Sequence, residues 1–292
     1  MAENVKSLRR RVRSIKNTKQ ITRAMEMVSA AKLRRAQDLL MAGRPYASKL
    51  REFMGHLASS AESTHPFFTK REVKRRTLVV VTSDRGLAGG FNTQVIKKAE
   101  AALKASPVPM ELVCIGRKGY DYFKNKPYKI VFQVTDMGGK VSGAGAAEIA
   151  DRVAKMFLDG ETDEVLLLFN SFISTMMYAQ QLEKLLPLDP EELLGASAAK
   201  STSAHHVDYI LEPTPQRVFD SILPRFIRSR VYMAIAETGA AEHSARMIAM
   251  SAATKNCTEL IDSVSLKMNK ARQAMITKEI LEVVGGAEAL KG

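Results

Sequence analysis

The two ends of the chain are long stretches that almost lack the residues that interrupt helices. Residues 1–42 contain neither Gly nor Pro, and between Pro224 and Gly285 the only such residue is Gly239. Residues that favour helices dominate both stretches. Uninterrupted helices of these lengths would be about 60 Å and about 90 Å long, which far exceeds an ordinary globular helix. We therefore predict a long helix at each end.

Two prolines test the continuity of these helices. Gly43-Arg44-Pro45 is expected to kink or interrupt the first helix before it resumes at Tyr46. Pro224 fits either a position in the first turn of the second helix or a kink within it. Gly285-Gly286 is expected to loosen the final turn.

Each predicted helix carries one narrow apolar stripe. The N-terminal stripe steps by three and four residues through Val5, Leu8, Val12, Ile15, Ile21, Met25 and Val28. The C-terminal stripe runs through Met250, Ala253, Cys257, Leu260 and Val264, and continues after a shift of one residue, like a stutter, through Met268, Ala271 and Met275. Neither stripe would stabilise a lone helix in water. We therefore predict that the two helices pair as a left-handed antiparallel coiled coil.

The middle of the chain alternates between short apolar runs and helix-like segments. The predicted strands are Thr77–Val81, Glu111–Ile115, Ile130–Thr135 and Val165–Phe169, with further edge strands at Gln180–Leu188 and His206–Leu211. The predicted helices are Asn92–Leu103, Arg117–Lys124 and Ala144–Leu158, and Leu194–Ala204 is expected to be a loop. This order indicates a parallel sheet flanked by helices.

The fold class is therefore a long antiparallel coiled coil of the terminal helices with an inserted Rossmann-like α/β domain. The predicted boundaries are 1–60 for the N-terminal helix, 75–212 for the inserted domain and 214–292 for the C-terminal helix.

Composition narrows the possible functions. No uncharged apolar run reaches the length of a membrane span, and no apolar segment follows the basic N-terminus as in a secretory signal. The only cysteines, Cys114 and Cys257, suit a reducing compartment and form no metal-site pattern. Of the net charge of +13, most lies in residues 1–44, which hold twelve Lys or Arg and three Asp or Glu. A positive field this concentrated implies an anionic partner.

The turn TSDRGLAGGFN, from Thr82 to Asn92, lies between a predicted strand and a predicted helix. Phosphate-binding loops occupy such corners. The spacing here is G-x-x-G-G, whereas the dinucleotide motif needs G-x-G-x-x-G, and Phe91 stands where a phosphate loop needs lysine. We favour a tight structural turn over a nucleotide site, because glycine relieves steric limits at any such corner.

Other catalytic patterns are weak. His205 and His206 are adjacent, and on an extended chain they would point to opposite faces. Ser-His-Asp and Cys-His arrangements cannot be built from any local motif. We predict no catalytic residue, no cofactor site and no metal site.

Both terminal segments resemble a known family. SIKNTKQITRAMEMVSAAKLRRAQ (Ser14–Gln37), ARMIAMSAATKNC (Ala245–Cys257) and NKARQAMITKEILEVVGGAEAL (Asn269–Leu290) are similar to the gamma subunit of F-type ATP synthase. TSDRGLAGGFN resembles that family's central turn, and DYILEP (Asp208–Pro213) resembles its entry to the C-terminal helix. The resemblance covers the whole chain with order and spacing intact.

The resemblance implies a rotor shaft. In this family the coiled coil inserts into a ring of alternating alpha and beta subunits, and the inserted domain meets the epsilon subunit and the ring of c subunits. Ion flow turns the ring and the shaft, and the shaft sets the state of each catalytic site. Nucleotides bind to alpha and beta, so the chain would be a non-catalytic subunit, peripheral on the cytoplasmic side of a bacterial plasma membrane.

The resemblance also implies partner contacts. On the C-terminal helix these are Arg272 and Gln273, which match a pair that contacts a beta-subunit loop, and Thr277 and Glu282 further along. Met25 matches a methionine near the acidic lever loop of beta. The remaining positions are Arg246 on the opposing helix, and Tyr209 and Glu212 near the c-ring. Leu211 stands where some members have a second tyrosine.

Two alternatives stay open from the residues alone. The basic run 9-RRRVR-13 with Arg34 and Arg35 would suit a helical nucleic-acid-binding protein, although Trp is absent and aromatic residues make up only 6%. A nucleotide enzyme would use Gly86–Gly90. Neither agrees with the rotor interpretation, which predicts no nucleic acid among the partners.

Overall fold

The computed structural model describes residues 5–60, 65–136, 142–189, 193 and 215–289. Their contacts form two compact units. We call residues 1–29 with 246–292 the terminal unit, and residues 30–245 the central unit.

A long helix lies at each end of the chain, as predicted. Helix α1 covers Val5–Ser60, and helix α5 covers Pro215–Ala289. In the central unit Arg44 lies 3.9 Å from Glu237, and Arg51 lines the same cavity as Arg230. As α1 advances from 44 to 51, α5 therefore runs back from 237 to 230. The two helices are antiparallel.

The predicted interruption at Gly43–Pro45 is wrong, because α1 passes through Pro45 without a break. A Cβ on Gly43 would lie 3.3 Å from the sulfur of Met233. Gly43 therefore allows α5 to approach closely. Pro224 also lies inside a helix rather than in a first turn. The helix also continues through Gly285 and Gly286.

In the terminal unit the buried seam differs from the predicted stripe after Ile15. The α1 positions that are buried or half-buried continue through Lys19, Thr22 and Ser29. By contrast, Ile21 is 60% exposed and Val28 is 56% exposed. The heptad spacing decides which side faces α5, and there it selects polar residues. The hydroxyl of Thr254 donates to that of Thr22 at 2.8 Å.

The stutter predicted in α5 is also absent. The seam uses Ile261, whereas Leu260 is 49% exposed. Its positions then alternate by four and three residues through Met250, Thr254, Cys257, Ile261, Val264, Met268 and Ala271. An uninterrupted heptad pattern of this kind is typical of a left-handed coiled coil.

The central unit contains a five-stranded sheet with the order β3-β2-β1-β4-β5. The strands are β1 (Arg76–Val81), β2 (Met110–Ile115), β3 (Ile130–Val134), β4 (Glu164–Ser174) and β5 (Met177–Leu186). The helices between them are α2 (Phe91–Ala105), α3 (Arg117–Phe123) and α4 (Gly143–Leu158). Four strands are parallel, and β5 is antiparallel at the edge. The sheet confirms the Rossmann-like α/β prediction.

Two expectations lie outside the described residues, namely the strand at His206–Leu211 and the loop at Leu194–Ala204. The edge strand expected at Gln180–Leu188 is present but begins earlier, and β4 extends beyond the predicted Phe169.

Each face of the sheet has its own apolar core. Leu78 and Val80 of β1 pack with α2 and α3, while Val79 and Val81 pack in the cluster that contains residues of α4, α1 and α5. Alternate side chains of a strand point to opposite faces, which explains this division. Buried hydroxyl groups mark both ends of β1: Thr77 bonds Thr162 at 3.0 Å, and Thr82 donates to Ile115 O at 3.1 Å.

Candidate partner-contact surface

The glycine turn after β1 is held by its own polar groups. The N–H of Ser83 donates to Asn92 Oδ1 at 3.1 Å, and the Ser83 hydroxyl donates to Arg85 O at 2.7 Å. Leu87 and Gly89 both have positive φ, 62° and 57°. Because these contacts account for Ser83, Asn92 and a glycine, they favour the structural interpretation of this turn.

Asp84 in the same turn connects neighbouring strand ends. Its Oδ1 accepts the N–H groups of Arg117 at 3.0 Å and Asp136 at 3.1 Å. Arg117 in turn pairs with Asp136, and the hydrogen bond that its guanidinium donates to that carboxylate is the main cause of the raised pKa of Arg117. The acidic side chain of the turn is therefore engaged in the fold.

The usual ligand crevice of a doubly wound sheet lies where the strand order reverses, here between β1 and β4. Side chains tie the start of α2 to β4 and β5 at this point. The Phe91 ring is fully buried and lies 5.5 Å from the Tyr178 ring. The Gln180 side chain donates to Gln94 at 3.1 Å and to the fully buried Asn170 at 3.2 Å. Side chains of α2, β4 and β5 therefore contact one another across this part of the sheet.

The last four turns of α5 present a different surface. Thr22 faces Thr254, and counting 17 residues in opposite directions places Val5, the first described residue of α1, level with Ala271. Every described side chain from Arg272 to Ala287 is exposed. We call residues 272–287 the α5 end segment.

The α5 end segment is rich in large apolar side chains. Their exposed fractions are 47% for Met275, 45% for Ile276, 56% for Ile280, 65% for Leu281, 72% for Val283 and 58% for Val284. At about 100° per residue these side chains cover about 240° of the helix circumference, and the remaining sector carries the charged pair Lys278 and Glu282. Large exposed apolar surfaces mark interaction sites, so this surface indicates a partner that contacts the helix on more than one side.

Four predicted contact residues lie in the α5 end segment, and all are exposed. Gln273 and Thr277 are four residues apart and share one face, whereas Glu282 lies about 140° further around the helix from Thr277. Glu282 forms an ion pair with Lys278 at 3.4 Å. Arg272 and its three neighbours therefore point in several directions, which suits contacts on more than one side.

Met25 and Arg246 lie in the terminal unit away from the α5 end segment. Met25 is half-buried and is spaced by four and three residues from the exposed Ile21 and Val28. These three residues form a short apolar stripe outside the seam, which the sequence pattern had assigned to the coiled coil. Arg246 is only 8% exposed and interacts within the chain, and its contact role stays a prediction.

The basic charge of α1 is displayed on its surface. Arg9, Arg10, Arg13 and Lys16 are all exposed.

The remaining implied contacts, Tyr209 and Glu212, lie outside the described residues. Within the part of the chain that the structure describes, no three His, Cys, Asp or Glu side chains are grouped as metal ligands. The described helices likewise include none with the length and hydropathy of a membrane span.

Comparisons with known proteins agree with this architecture. The family described as ATP synthase matches residues 4–290. Among curated relatives, the ATP synthase gamma chain of Moorella thermoacetica is 45% identical over 99% of both chains. That of Geobacter metallireducens is 44% identical, again over 99% of both.

Solved structures are similar as well. A chain in the central stalk and c-ring structure of mitochondrial ATP synthase from Tetrahymena thermophila has 25% identity and a TM-score of 0.60, with 80% of this chain and 99% of that chain covered. A chain of the Euglena gracilis mitochondrial enzyme shares the fold at 20% identity, with a TM-score of 0.72 and coverage of 98% and 94%.

The fold and these matches define a central-stalk component of a rotary ATP synthase, and the nucleic-acid alternative gains no support from them. The chain belongs to the ATP synthase gamma-chain family, whose members are non-catalytic subunits of the complex.

Proposed function

We propose that this chain is the rotor that couples ion-driven rotation of a c-ring to conformational cycling of catalytic sites on beta subunits. The α5 end segment is the observation that carries the proposal. A helix end whose exposed apolar side chains cover about 240° of its circumference suits a sleeve that encloses it without a fixed orientation, which is what a turning shaft needs.

Polar contacts around the segment would then supply the directional part of the interaction. Arg272 can form forked, charge-assisted hydrogen bonds with carboxylates on a beta subunit. Exposed ion pairs are worth only about 0–1 kcal/mol each, so they can break and form again as the shaft turns. Gln273, Thr277 and Glu282 would meet other subunits or other rotational positions.

The basic face of α1 suits acidic loops of the surrounding subunits. Met25, with Ile21 and Val28 beside it, would give such a loop an apolar contact between the exposed cations. Arg246 is buried in the isolated chain. Its side chain would therefore have to rearrange before it could contact a partner subunit.

The opposite contacts are proposed from the family resemblance. Tyr209 and Glu212 would lie near the c-ring, and the inserted domain, residues 75–212, would bind epsilon. The helices at 1–60 and 214–292 would act as the shaft. The subunit would be peripheral on the cytoplasmic side of a bacterial plasma membrane.

The first test is assembly. The full chain should co-purify with alpha and beta subunits and restore ATP-driven proton pumping to vesicles that carry the remaining subunits. Arg272→Ala with Gln273→Ala should lower pumping or assembly while the free energy of unfolding of the isolated chain stays within about 0.5 kcal/mol, as expected for exposed positions. Normal pumping and assembly in this variant would contradict the assigned contacts.

A further inference from the structure

Strands β4 and β5 extend beyond the rest of the sheet. Strand β1 pairs with β4 only as far as Val80 and Leu168, whereas β4 continues to Ser174 and β5 returns from Met177. We call the projecting part, residues 169–181, the β4–β5 arm. Beyond Leu168 none of the described strands pairs with this edge of β4, and an open edge leaves backbone N–H and C=O groups without ladder partners.

Side chains of α5 take the place of the missing strand. The N–H of Asn170 donates to Thr238 Oγ1 at 3.2 Å, and the N–H of Phe172 donates to Glu237 Oε2 at 3.3 Å. Alternate N–H groups along a strand point to the same edge, so Leu168, Asn170 and Phe172 belong to one row. The N–H of Leu168 faces β1, and the N–H groups of Asn170 and Phe172 face α5.

Two further contacts hold the arm. Arg44 of α1 donates to Phe172 O at 3.2 Å and lies 3.9 Å from Glu237. The hydroxyl of Ser244, two turns along α5, donates to Thr175 O at the tip of the arm. The arm is therefore bonded to both long helices within the central unit.

The bonds from Thr238 and Ser244 are buried, whereas the side chain of Arg44, which also holds the arm, is 46% exposed. Asn170 is 0% exposed, Thr238 is 3% exposed and Ser244 is 1% exposed. The ion pair between Arg228 and Asp151 connects α5 to α4, but its side chains are 45% and 48% exposed. Exposed pairs contribute little, whereas a buried backbone group that loses its partner bears the full cost of desolvation.

We propose that the β4–β5 arm transmits force between the α/β sheet and the long helices of the central unit, with Thr238, Glu237 and Ser244 as its positioning residues. The inference rests on the proposed rotor function. Hydrogen bonds to strand backbone resist sliding because they have short range and defined geometry. A twist applied to the sheet therefore reaches α5 through these groups before the exposed ion pairs bear it.

Hydrogen exchange on the isolated full chain tests the attachment. Thr238→Val keeps the shape and removes the acceptor, whereas Thr238→Ser keeps the acceptor and serves as the matched control. In Thr238→Val the Asn170 amide should exchange about tenfold faster, and the Leu168 amide, which faces β1, should not change. Ser244→Ala is a second variant that should loosen the tip if Thr238→Val folds poorly. Unchanged exchange along the arm in both variants would overturn the inference.

Coupling in the assembled complex tests the role. Complexes assembled with the Thr238→Val, Ser244→Ala chain should hydrolyse ATP, but the ratio of proton pumping to ATP hydrolysis should fall several-fold. Thr238→Ser should retain the wild-type ratio. Faster exchange in the arm with an unchanged ratio would show that the arm transmits no force.

The two proposals fail differently. If the wild-type chain neither assembles with alpha and beta subunits nor supports pumping, the rotor proposal fails. If the wild-type chain couples normally and the arm variants have the same ratio of pumping to hydrolysis, the rotor proposal stands and the role of the arm is refuted.

Discussion

Replacing two apolar residues of the α5 end segment by serine should weaken assembly without weakening the fold. Leu281 is 65% exposed and Val283 is 72% exposed. Full burial of such a side chain is worth about 1.5–3 kcal/mol, so enclosing the remaining surface contributes about 1–2 kcal/mol for each. Interfaces return less than their area implies, which leaves about 2 kcal/mol for the pair. Leu281→Ser with Val283→Ser should therefore weaken binding to the alpha–beta assembly about 30-fold.

Binding is measured by titrating the alpha–beta assembly with labelled chain. The free energy of unfolding of the isolated variant should stay within about 0.5 kcal/mol of wild type, because both positions are exposed. The matched control is Ile173→Ser with Met176→Ser, which alters side chains that are 57% and 80% exposed but lie on the β4–β5 arm. Equal losses in both variants, or no loss in the first, would refute the reasoning that the α5 end segment is enclosed.

Three further predictions concern the fold. Gly116→Ala should destabilise the chain by about 3 kcal/mol or more in urea unfolding, because φ is 95° and the added Cβ would lie 2.2 Å from Thr82 O; a smaller loss would contradict this geometry. Burial lowers the pKa of His65 despite the opposing charge of Asp220, so the unfolded chain binds the proton more readily. The free energy of unfolding should fall as pH drops below about 6.5, and this fall should be smaller in His65→Gln than in wild type. Burial raises the pKa of Cys114 to about 12, so alkylation at pH 8 should modify Cys114 only after denaturation.

The helical ends and most strands could be predicted because each has a strong local pattern. Long stretches without Gly or Pro indicate helices whatever their partners, and Leu78 to Val81 form an apolar run that only a sheet covered on both faces would bury. The resemblance to the gamma subunit likewise depended on residues adjacent in the sequence. The contact roles predicted for exposed residues of α5 came from this resemblance rather than from periodicity, and they stay predictions.

The seam beyond Ile15 could not be predicted from hydropathy. Ile21 and Val28 are more apolar than Lys19 and Ser29, yet helix geometry turns the latter pair toward α5. Sequence spacing held the answer, because steps of four and three from Ile15 reach Lys19 and Thr22. The close approach of Met233 to Gly43, beside Pro45, joins residues that are distant in the sequence.

The hydrogen bonds of the β4–β5 arm were also beyond a sequence-based prediction. Thr238 and Ser244 are ordinary helix residues until the strand edge beside them is known. Asn170 gives no local sign that its N–H lacks a strand partner. Such contacts join residues more than 60 positions apart.

Strand β1 has apolar side chains on both faces. Shifting its register by one residue would therefore exchange one set of buried apolar side chains for another at little cost. Sheets with one solvent-exposed face avoid such a shift, because it would move the apolar side chains into water. The hydroxyls of Thr77 and Thr82 fix the register at the two ends of β1, because a shifted strand would leave each hydroxyl without its hydrogen-bond partner. The register of β1 in the sheet thus depends on two small polar groups at the ends of an otherwise apolar strand.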